Sequence, residues 1–375
     1  MLRWGAAVSS IEHEVARSIL SGRYRFVAQV TTKWHELGAE AFFLNSGKPG
    51  GRGLVLIQEH PTAGYLIGVE DVNREIFDAI LVRQRSSASS MDYFCKAYWA
   101  LRLSRYTPKE PVWIASATEP GLFFRTLVGL AKHSACHYVQ LDEGVGTYLC
   151  TNEDWEKIKE REGGKKAFRH TRQRLKRSIP DNVADLTEQF LLFDRSGEPS
   201  PKVSAAYSKA LVLRSDQTCK SSLEGMDVVI CSGPYREESL ISFENYEKMF
   251  LSLKDLLEGT GYRVAVKPHP RERNLELYRS LGFRVIDNSE SIEDILASVR
   301  SLPVMVIGFS STALVTSSVL FGVKAVCLDC MFEEKWFTQE FLISASRYRA
   351  FYSEVVSFPD SGDSFMALAL HEKTG

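Results

Sequence analysis

The clearest folding signal in this chain is the sequence VMVIGFSSTALVTSSVLFGVKAVCLD, residues 304–329. Residues 304–312 predict a buried strand and a turn, residues 313–322 have the apolar content of a helix, and residues 323–329 predict a second strand. A strand, a helix and a strand in this order are typical of a parallel βαβ unit. This stretch therefore predicts an α/β architecture.

The same alternation precedes this stretch. The sequences MDVVICSGP (226–234) and YRVAVKPHP (262–270) each predict a strand that ends in a turn. Residues 243–261 predict an amphipathic helix stopped by glycines, and SIEDILASV (291–299) predicts a helix whose N-cap is Ser291. The series is that of a doubly wound parallel sheet, which binds ligands at the carboxyl ends of its strands.

The first half of the chain carries a similar pattern with longer gaps. The stretch 111–144 predicts one βαβ unit, with a helix over LFFRTLVGLAKH. Further strands are predicted upstream of it. The predicted strands of this half are 52–59, 79–84, 111–117 and 137–144.

Composition limits the class of protein. The chain has 375 residues, of which 44% are hydrophobic and 25% charged, which suits two globular domains better than one. We place them at residues 1–220 and 221–375, with the last residues crossing back. A net charge of −1 excludes a generally basic nucleic-acid coat, so no nucleic-acid partner is expected.

The chain also shows no sign of export or of a spanning helix. No window holds 18 consecutive apolar residues, and acidic residues interrupt the beginning of the chain where a signal peptide would be apolar. The seven cysteines form no ladder, and the pair Cys327 and Cys330 lacks a second pair at zinc spacing. We expect reduced thiols, a cytoplasmic location and no metal site.

The first candidate site is the sequence Leu141-Asp142-Glu143-Gly144, at the end of a predicted strand. Adjacent carboxylates repel each other, which raises the pKa of at least one of them toward the range of a general base. The alternative interpretation is a solvated turn, since Asp, Glu and Gly are common in turns.

The second candidate site is Lys267-Pro268-His269-Pro270, also at a strand end. Prolines on both sides restrict the backbone around the imidazole. A histidine held in this way can donate a hydrogen bond or a proton to a phosphate. The alternative interpretation is a histidine in a surface turn.

The third candidate site is Gly308-Phe309-Ser310-Ser311-Thr312, followed by a helix. Three hydroxyls and the first N–H groups of the helix converge there, which outlines a phosphate cradle. An ordinary N-cap also prefers Ser or Thr, but it needs a single hydroxyl. The chain has no GxxxxGK[ST] sequence, so a P-loop NTPase is not indicated.

In this order, the acidic-acidic-Gly, His-Pro and Ser-Ser-Thr sequences resemble the motifs of bacterial sialyltransferases and polysialyltransferases. The resemblance covers residues 111–150 and 226–330. It implies a GT-B fold, in which two Rossmann-like domains face each other across a cleft. It also implies inverting transfer of sialic acid from CMP-sialic acid to a glycan hydroxyl, with the CMP-sugar as substrate and neither a cofactor nor a metal.

The resemblance assigns roles to individual residues. Asp142 would be the general base, with Glu143 as the alternative, and His269 would contact or protonate the departing phosphate. For the ribose, Glu293 is the first choice and Glu290 the second. The remaining donor-binding residues would be Lys267, Pro270, Ser310, Ser311 and Thr312, with Ser232 and Gly233 lining the donor site.

A basic segment at residues 165–177 has two interpretations. Arg169, Arg172 and Lys176 could attract an anionic acceptor, such as polysialic acid or a lipid-linked glycan at the inner membrane surface. Alternatively the segment is a solvated helix face paired with the acidic residues before it. The second interpretation is favoured, since single basic clusters are common.

Two other activities are also compatible with these motifs. Transferases of CMP-Kdo and polymerases that use CDP-glycerol share the two-domain shape and a His-Pro sequence. The acidic-acidic-Gly sequence favours the sialyl group over both. A third alternative, from another class, is a protein that binds a cytidine nucleotide without catalysis.

Overall fold

The computed structural model describes residues 11–47, 53–58, 66–83, 111–117, 136–149, 187–194, 196–215, 223–287 and 290–371. Packing divides these residues into two units. Unit 1 contains the described residues up to Glu143 together with those from 187 to Leu192. Unit 2 contains Gly144–Leu149 and the described residues from Phe193 onward.

Unit 1 is built on a six-stranded parallel sheet in the order β3-β2-β1-β4-β5-β6. The order reverses between β1 and β4, as in doubly wound folds. Its helices are α1 (Ile11–Leu20) and α2 (Lys33–Ser46). The strands are β1 (Phe26–Val30), β2 (Gly53–Gln58), β3 (Phe77–Arg83), β4 (Val112–Ser116), β5 (Cys136–Leu141) and β6 (Thr187–Phe190).

The core of unit 1 forms where α2 covers β1. All five residues of β1 are buried, and the Phe26 ring lies 6.1 Å from Phe42 and 5.7 Å from Phe77, measured between ring centroids. Thr32 caps α2 by accepting a hydrogen bond from the His35 N–H. Burial of this aromatic cluster anchors the helix to the sheet.

Unit 2 has a five-stranded parallel sheet in the order β11-β10-β7-β8-β9. The strands are β7 (Val228–Cys231), β8 (Val264–Lys267), β9 (Arg284–Val285), β10 (Met305–Gly308) and β11 (Lys324–Cys327). The helices are α3 (Val145–Leu149), α4 (Pro201–Ser215), α5 (Phe243–Glu258), α6 (Glu276–Ser280), α7 (Ile292–Ser298), α8 (Thr312–Phe321), α9 (Gln339–Tyr352) and α10 (Gly362–His371).

The strands of unit 2 are apolar on both faces because helices cover both. β7 and β10, the two strands at the reversal of the order, are buried at every residue. A Cβ atom at Gly308 would lie 2.5 Å from the Cys231 carbonyl oxygen. Glycine is therefore required where the ends of β7 and β10 approach each other.

These observations confirm the predicted α/β class with two Rossmann-like domains. Each strand predicted from the sequence in 226–329 is present, as are the strands predicted in the first half. β1 and α2 were not predicted. β1 is a short run with a polar Gln29 inside it, and α2 is buried around most of its circumference, which removes the amphipathic period.

The domain boundary lies elsewhere than the sequence suggested. The packing places it between Leu192 and Phe193, with 144–149 joining unit 2, instead of between residues 220 and 221. Between these positions lies α4, which packs on α7 and α8 of unit 2. Because α4 contains many polar residues, the sequence pattern did not indicate that one of its faces is buried. Tyr207 on that face has no exposed surface.

The predicted helix 122–133 and the basic segment 165–177 lie outside the described residues. Within the described residues, no helix is both long enough and apolar enough to cross a membrane.

Candidate active site

The polar groups of unit 2 gather at the carboxyl edge of its sheet. Ser232 follows β7, His269 follows β8, Ser310 follows β10 and Asp329 follows β11. The reversal of strand order lies between β7 and β10, where doubly wound sheets bind their ligands. The second and third sites predicted from the sequence are therefore brought to the same edge of one sheet.

The three adjacent hydroxyls at the start of α8 have three different partners. Ser311 is the N-cap and accepts a hydrogen bond from the Ala313 N–H at 3.2 Å. Thr312 accepts one from the Val145 N–H at 3.1 Å, and Ser310 donates its hydroxyl hydrogen to Asp329. Because the Ser311 oxygen acts as acceptor, its own hydrogen can be donated to an anion.

Ser310 was expected to hold the donor phosphate, but the structure uses its polar groups within the turn. Its N–H also donates to Asp329, at 3.2 Å. Burial raises the pKa of Asp329, and the hydrogen bonds from Ser310 act against that effect. In this arrangement Asp329 fixes the shape of the turn through Ser310.

Two tyrosines hold the same turn from the other side. The Tyr235 hydroxyl donates to the Ser310 carbonyl at 3.3 Å, and the Tyr348 hydroxyl donates to the Ser311 carbonyl at 2.8 Å. Burial raises the pKa of both phenols well above the usual value, so both stay protonated and keep donating at neutral pH. The N-terminus of the ten-residue helix α8 is thus preorganised for an anion.

The His269 loop is a tight turn. The Glu272 N–H donates to the His269 carbonyl at 2.9 Å, which places Pro270 at the position that favours proline. The Arg271 N–H donates to His269 Nδ1 at 3.1 Å. A neutral imidazole that accepts at Nδ1 carries its hydrogen on Nε2, so Nε2 is the atom that can donate to a phosphate.

Lys267 lies below this loop and is only 5% exposed. Its ammonium group donates to the Pro268 carbonyl at 2.8 Å. Burial lowers the pKa of Lys267, while the neighbouring Cys231 and Glu293 act in the opposite direction. The lysine is therefore tied to the His269 turn by a hydrogen bond inside the unit.

Glu293 is near the start of α7 and is 6% exposed. One of its carboxylate oxygens accepts a hydrogen bond from the Thr316 hydroxyl at 2.6 Å. Burial raises its pKa, and the bond from Thr316 opposes that rise. Glu290, the second choice for the ribose, is exposed.

In unit 1, the acidic sequence follows β5. Asp142 is 1% exposed, and its Oδ2 accepts a hydrogen bond from the Leu192 N–H at 2.9 Å, which ties the end of β5 to the end of β6. Glu143 is half-buried. Burial, and secondly the charge of Asp142, raise the pKa of Glu143 to about 7. The two adjacent acids thus have different surroundings.

Gly144 is the point at which the chain passes to unit 2. Its φ of +95° is strained for any residue with a side chain. A Cβ atom here would also overlap the Thr312 side chain, whose hydroxyl accepts from the next N–H. Gly144 therefore lies against Thr312, the first residue of α8, within unit 2.

The segment after Gly144 is fastened to unit 2 by aromatic packing. The Tyr148 ring stacks on Phe351, with centroids 5.3 Å apart, and meets Phe193 edge-on. The Phe193 N–H donates to the Tyr148 hydroxyl at 3.0 Å. These contacts hold α3 within unit 2.

Several residues of this edge were not predicted as functional, namely Asp329, Tyr235 and Tyr348 in the Ser-Ser-Thr turn and Glu272 in the His269 turn. Asp329 and Glu272 both follow strands closely, which is the one signal that could have singled them out. Of the predicted acceptor residues, Arg169, Arg172 and Lys176 lie outside the described part of the chain.

Residues 67–329, which contain all three motifs, match the family model described as alpha-2,8-polysialyltransferase (POLYST). The chain belongs to the alpha-2,8-polysialyltransferase family. It is a glycosyltransferase, and the resemblance to sialyltransferases and polysialyltransferases found in the sequence is confirmed.

Three solved structures illustrate what the chain is similar to. A galactoside α-2,3-sialyltransferase from Photobacterium phosphoreum is 11% identical, with 89% of this chain and 97% of that chain covered and a TM-score of 0.46. MurG from Acinetobacter baumannii is 12% identical, with 93% and 90% covered and a TM-score of 0.42. The GT-B domain of a sialyltransferase from Photobacterium damselae is 12% identical, with 89% and 99% covered and a TM-score of 0.41.

Among curated proteins, no match was found.

Proposed function

We propose that this polysialyltransferase-family chain transfers sialic acid from CMP-sialic acid to a glycan hydroxyl, with inversion and without a metal ion. The observation that carries the proposal is the preorganised start of α8 in unit 2, where Ser311 caps the helix and the Tyr348 hydroxyl donates to the Ser311 carbonyl at 2.8 Å. The Val145 N–H, just after the acidic-acidic-Gly sequence, donates to the Thr312 hydroxyl at 3.1 Å at the same helix start, within unit 2.

The donor phosphate binds at the start of α8 in this proposal. Ser311 donates its hydroxyl hydrogen, and the first N–H groups of α8 add partial positive charge. His269 donates from Nε2 to the phosphate oxygen that gains charge as the bond to the sugar breaks. Hydrogen-bond donors that are already fixed in place stabilise this charge without having to reorganise. This electrostatic stabilisation is usually the largest single contribution to the rate enhancement.

The base is Glu143 in this proposal, with Asp142 in a supporting role. A general base is most effective when its pKa is near the working pH, and the pKa of Glu143 is raised to about 7. Asp142 is enclosed and already accepts the Leu192 N–H. Burial is the main cause of the raised pKa of Glu143, and the charge of Asp142 adds to it, so Asp142 supports Glu143 as the base.

Other residues of the edge complete the donor site. Lys267 contributes positive potential, Pro270 shapes the His269 turn, and Ser232 and Gly233 line the cytidine or the sugar. Glu293, whose carboxylate also accepts from Thr316, accepts from the ribose hydroxyls. The acceptor is a sialic-acid-ended glycan, either lipid-linked or a free anionic polymer, at the cytoplasmic face of the inner membrane.

The proposal is tested by ligand-dependent stability and by transfer. CMP at a hundred times its dissociation constant should stabilise the protein by about 2.7 kcal/mol in a thermal-shift assay, and CDP, UDP and GDP should each do less at equal concentration. CMP-sialic acid with an α-2,8-linked sialic acid oligomer should give a longer oligomer, also in EDTA.

Four results would contradict the proposal. Preference for UDP or GDP would exclude a CMP-sugar donor, and loss of transfer in EDTA restored by magnesium would exclude the metal-free reaction. Turnover of CMP-Kdo or CDP-glycerol instead of CMP-sialic acid would move the enzyme to one of those donor classes. CMP binding without turnover of these three donors would indicate a non-catalytic binder.

A further inference from the structure

A buried polar network lies under the turns that follow β7 and β8. Glu272 is 5% exposed, and its Oε1 accepts from the Ser232 hydroxyl at 2.5 Å and from the His269 N–H at 2.7 Å. Its Oε2 contacts the Tyr278 hydroxyl. One carboxyl group therefore joins the residue after β7 to the histidine after β8.

The network continues from Glu272 back to the β7 turn. The Tyr278 and Tyr246 hydroxyl oxygens are 2.8 Å apart, and either can be the donor. The Tyr246 hydroxyl donates to the Gly233 carbonyl at 3.2 Å. The chain of contacts thus closes a ring that starts at Ser232 and returns to Gly233, its neighbour in the sequence.

Counting hydrogens fixes the protonation of this ring. Four oxygen–oxygen contacts link it: Ser232 to Glu272, Glu272 to Tyr278, Tyr278 to Tyr246, and Tyr246 to the Gly233 carbonyl. Each contact needs one hydrogen, and the three hydroxyls supply three. A hydrogen on the Glu272 carboxyl supplies the fourth.

We propose that Glu272 is a positioning residue of the donor site, which as a neutral carboxylic acid holds the Ser232-Gly233 turn and the His269 turn in one arrangement. The proposal rests on the proposed function, because that function makes these two turns the cytidine and phosphate sides of the donor site. Glu272 itself does not touch the donor and acts through His269 and Ser232.

The surroundings of Glu272 favour the neutral form. Burial raises its pKa and the charge of Glu237 adds to the rise, whereas the hydrogen-bond contacts with Ser232, Tyr278 and the His269 N–H oppose it. A neutral acid also adds no negative charge beside the site where an anionic phosphate would bind. A protonated carboxyl can still accept on one oxygen while it donates from the other.

The test compares Glu272→Gln with Glu272→Ala. The Gln amide reproduces the pattern of the neutral acid, since its oxygen accepts from Ser232 and His269 and its N–H donates to Tyr278. We expect Glu272→Gln to keep the CMP dissociation constant and the KM for CMP-sialic acid within about threefold of wild type. Glu272→Ala should raise both by about tenfold or more, because the two turns lose their shared anchor.

A matched control separates positioning from general stability. Tyr262→Phe removes another hydrogen bond of unit 2, from the Tyr262 hydroxyl to the Ala369 carbonyl at 2.6 Å, away from the two turns. It should lower the melting temperature without changing the CMP dissociation constant. Tyr246→Phe removes the bond to Gly233 and should weaken CMP binding even if Glu272→Ala fails to fold.

Two results would overturn the inference about Glu272. The inference is overturned if Glu272→Gln loses as much affinity as Glu272→Ala, because the carboxyl then acts as a charged group. It is also overturned if Glu272→Ala and Tyr246→Phe bind CMP like the Tyr262→Phe control. If wild type itself neither binds CMP nor turns over CMP-sialic acid, the proposed function fails instead, which the same titrations reveal.

Discussion

The two parallel sheets of this chain have the same order of strands around their reversal points but different chemistry at their carboxyl edges. In unit 2, the edge carries hydroxyls, a helix N-terminus and a histidine that can donate from Nε2. In unit 1, the residues that stand out at the edge are Asp142 and Glu143, after β5. One edge offers hydrogen-bond donors and the other offers negative charge.

The edges also differ in how completely their groups are held. In the Ser-Ser-Thr turn of unit 2, Asp329, Tyr235 and Tyr348 each hold a backbone or hydroxyl group. In unit 1, Glu143 is half-buried and its pKa is shifted toward neutrality. A rigid anion site suits a departing phosphate, and a carboxylate that titrates near pH 7 suits proton removal.

The largest effect should come from the base. Glu143→Gln keeps the size of the side chain but cannot take a proton, so transfer should fall by about 10²–10⁴-fold. CMP affinity, measured by calorimetry, should not change, because the donor groups of unit 2 are intact. Normal transfer by Glu143→Gln together with inactive Asp142→Asn would return the base to Asp142.

The same residue sets the pH dependence of wild type. The base works when deprotonated, so the rate at saturating donor should rise with pH through about 7 and then level off. Stability should follow the opposite direction, since a raised carboxyl pKa stabilises the protonated fold and that contribution is lost as pH rises through about 7. A rate that stays constant from about pH 5.5 to about pH 8, a range that includes this pKa, would contradict the assignment.

A second large effect is expected at the donor edge. His269→Ala removes the Nε2–H donor, and transfer should fall by about 10²–10³-fold. Unlike Glu143→Gln, this variant should also bind CMP more weakly in calorimetry. Equal CMP affinity in His269→Ala and wild type would remove His269 from the phosphate site.

A moderate effect is expected at Ser311. Ser311→Ala loses both the α8 cap and the hydroxyl donor, so CMP affinity should fall about tenfold. Ser242→Ala is a matched control, because Ser242 caps α5 through the Asn245 N–H at 3.2 Å. Both variants should lose about 1 kcal/mol of stability, measured by denaturant unfolding.

The pair decides whether Ser311 is more than a cap. If Ser311→Ala binds CMP as tightly as Ser242→Ala does, the third motif is an ordinary helix start.

The smallest effect should be at the opposite edge of the unit 2 sheet. Arg263 pairs with Asp227, which precedes β7, through Nη2 at 3.0 Å and Nε at 3.0 Å. The arginine is exposed and its ion pair is screened by solvent, so Arg263→Ala should hardly change the denaturant midpoint and should leave transfer unchanged. A clear loss of transfer would mean that function is not confined to the carboxyl edge.

The sequence predicted those parts of the fold and site that depend on neighbours along the chain. The apolar runs before Ser232, His269 and Ser310 located three strand ends, because buried parallel strands are nearly continuous apolar segments. Ser311 as a helix cap also follows from local pattern.

The remaining parts depend on contacts between distant residues. The bonds from Ser310 to Asp329 and from Val145 to Thr312 join segments 19 and 167 residues apart, which no local pattern encodes. Asp142, unlike Glu143, is fully buried and accepts the Leu192 N–H from the segment after β6. The sequence therefore located the acidic pair but did not distinguish its members.

The central claim is that the carboxyl edge of unit 2 recognises the phosphate of a cytidine nucleotide. Calorimetric titration of CMP and of cytidine into wild type and His269→Ala measures this directly, because the two ligands differ only by the phosphate. Wild type should bind CMP at least about tenfold more tightly than cytidine, and the ratio of the two dissociation constants should be smaller in His269→Ala. Equal affinity of wild type for both ligands, or a ratio unchanged by the substitution, would contradict it.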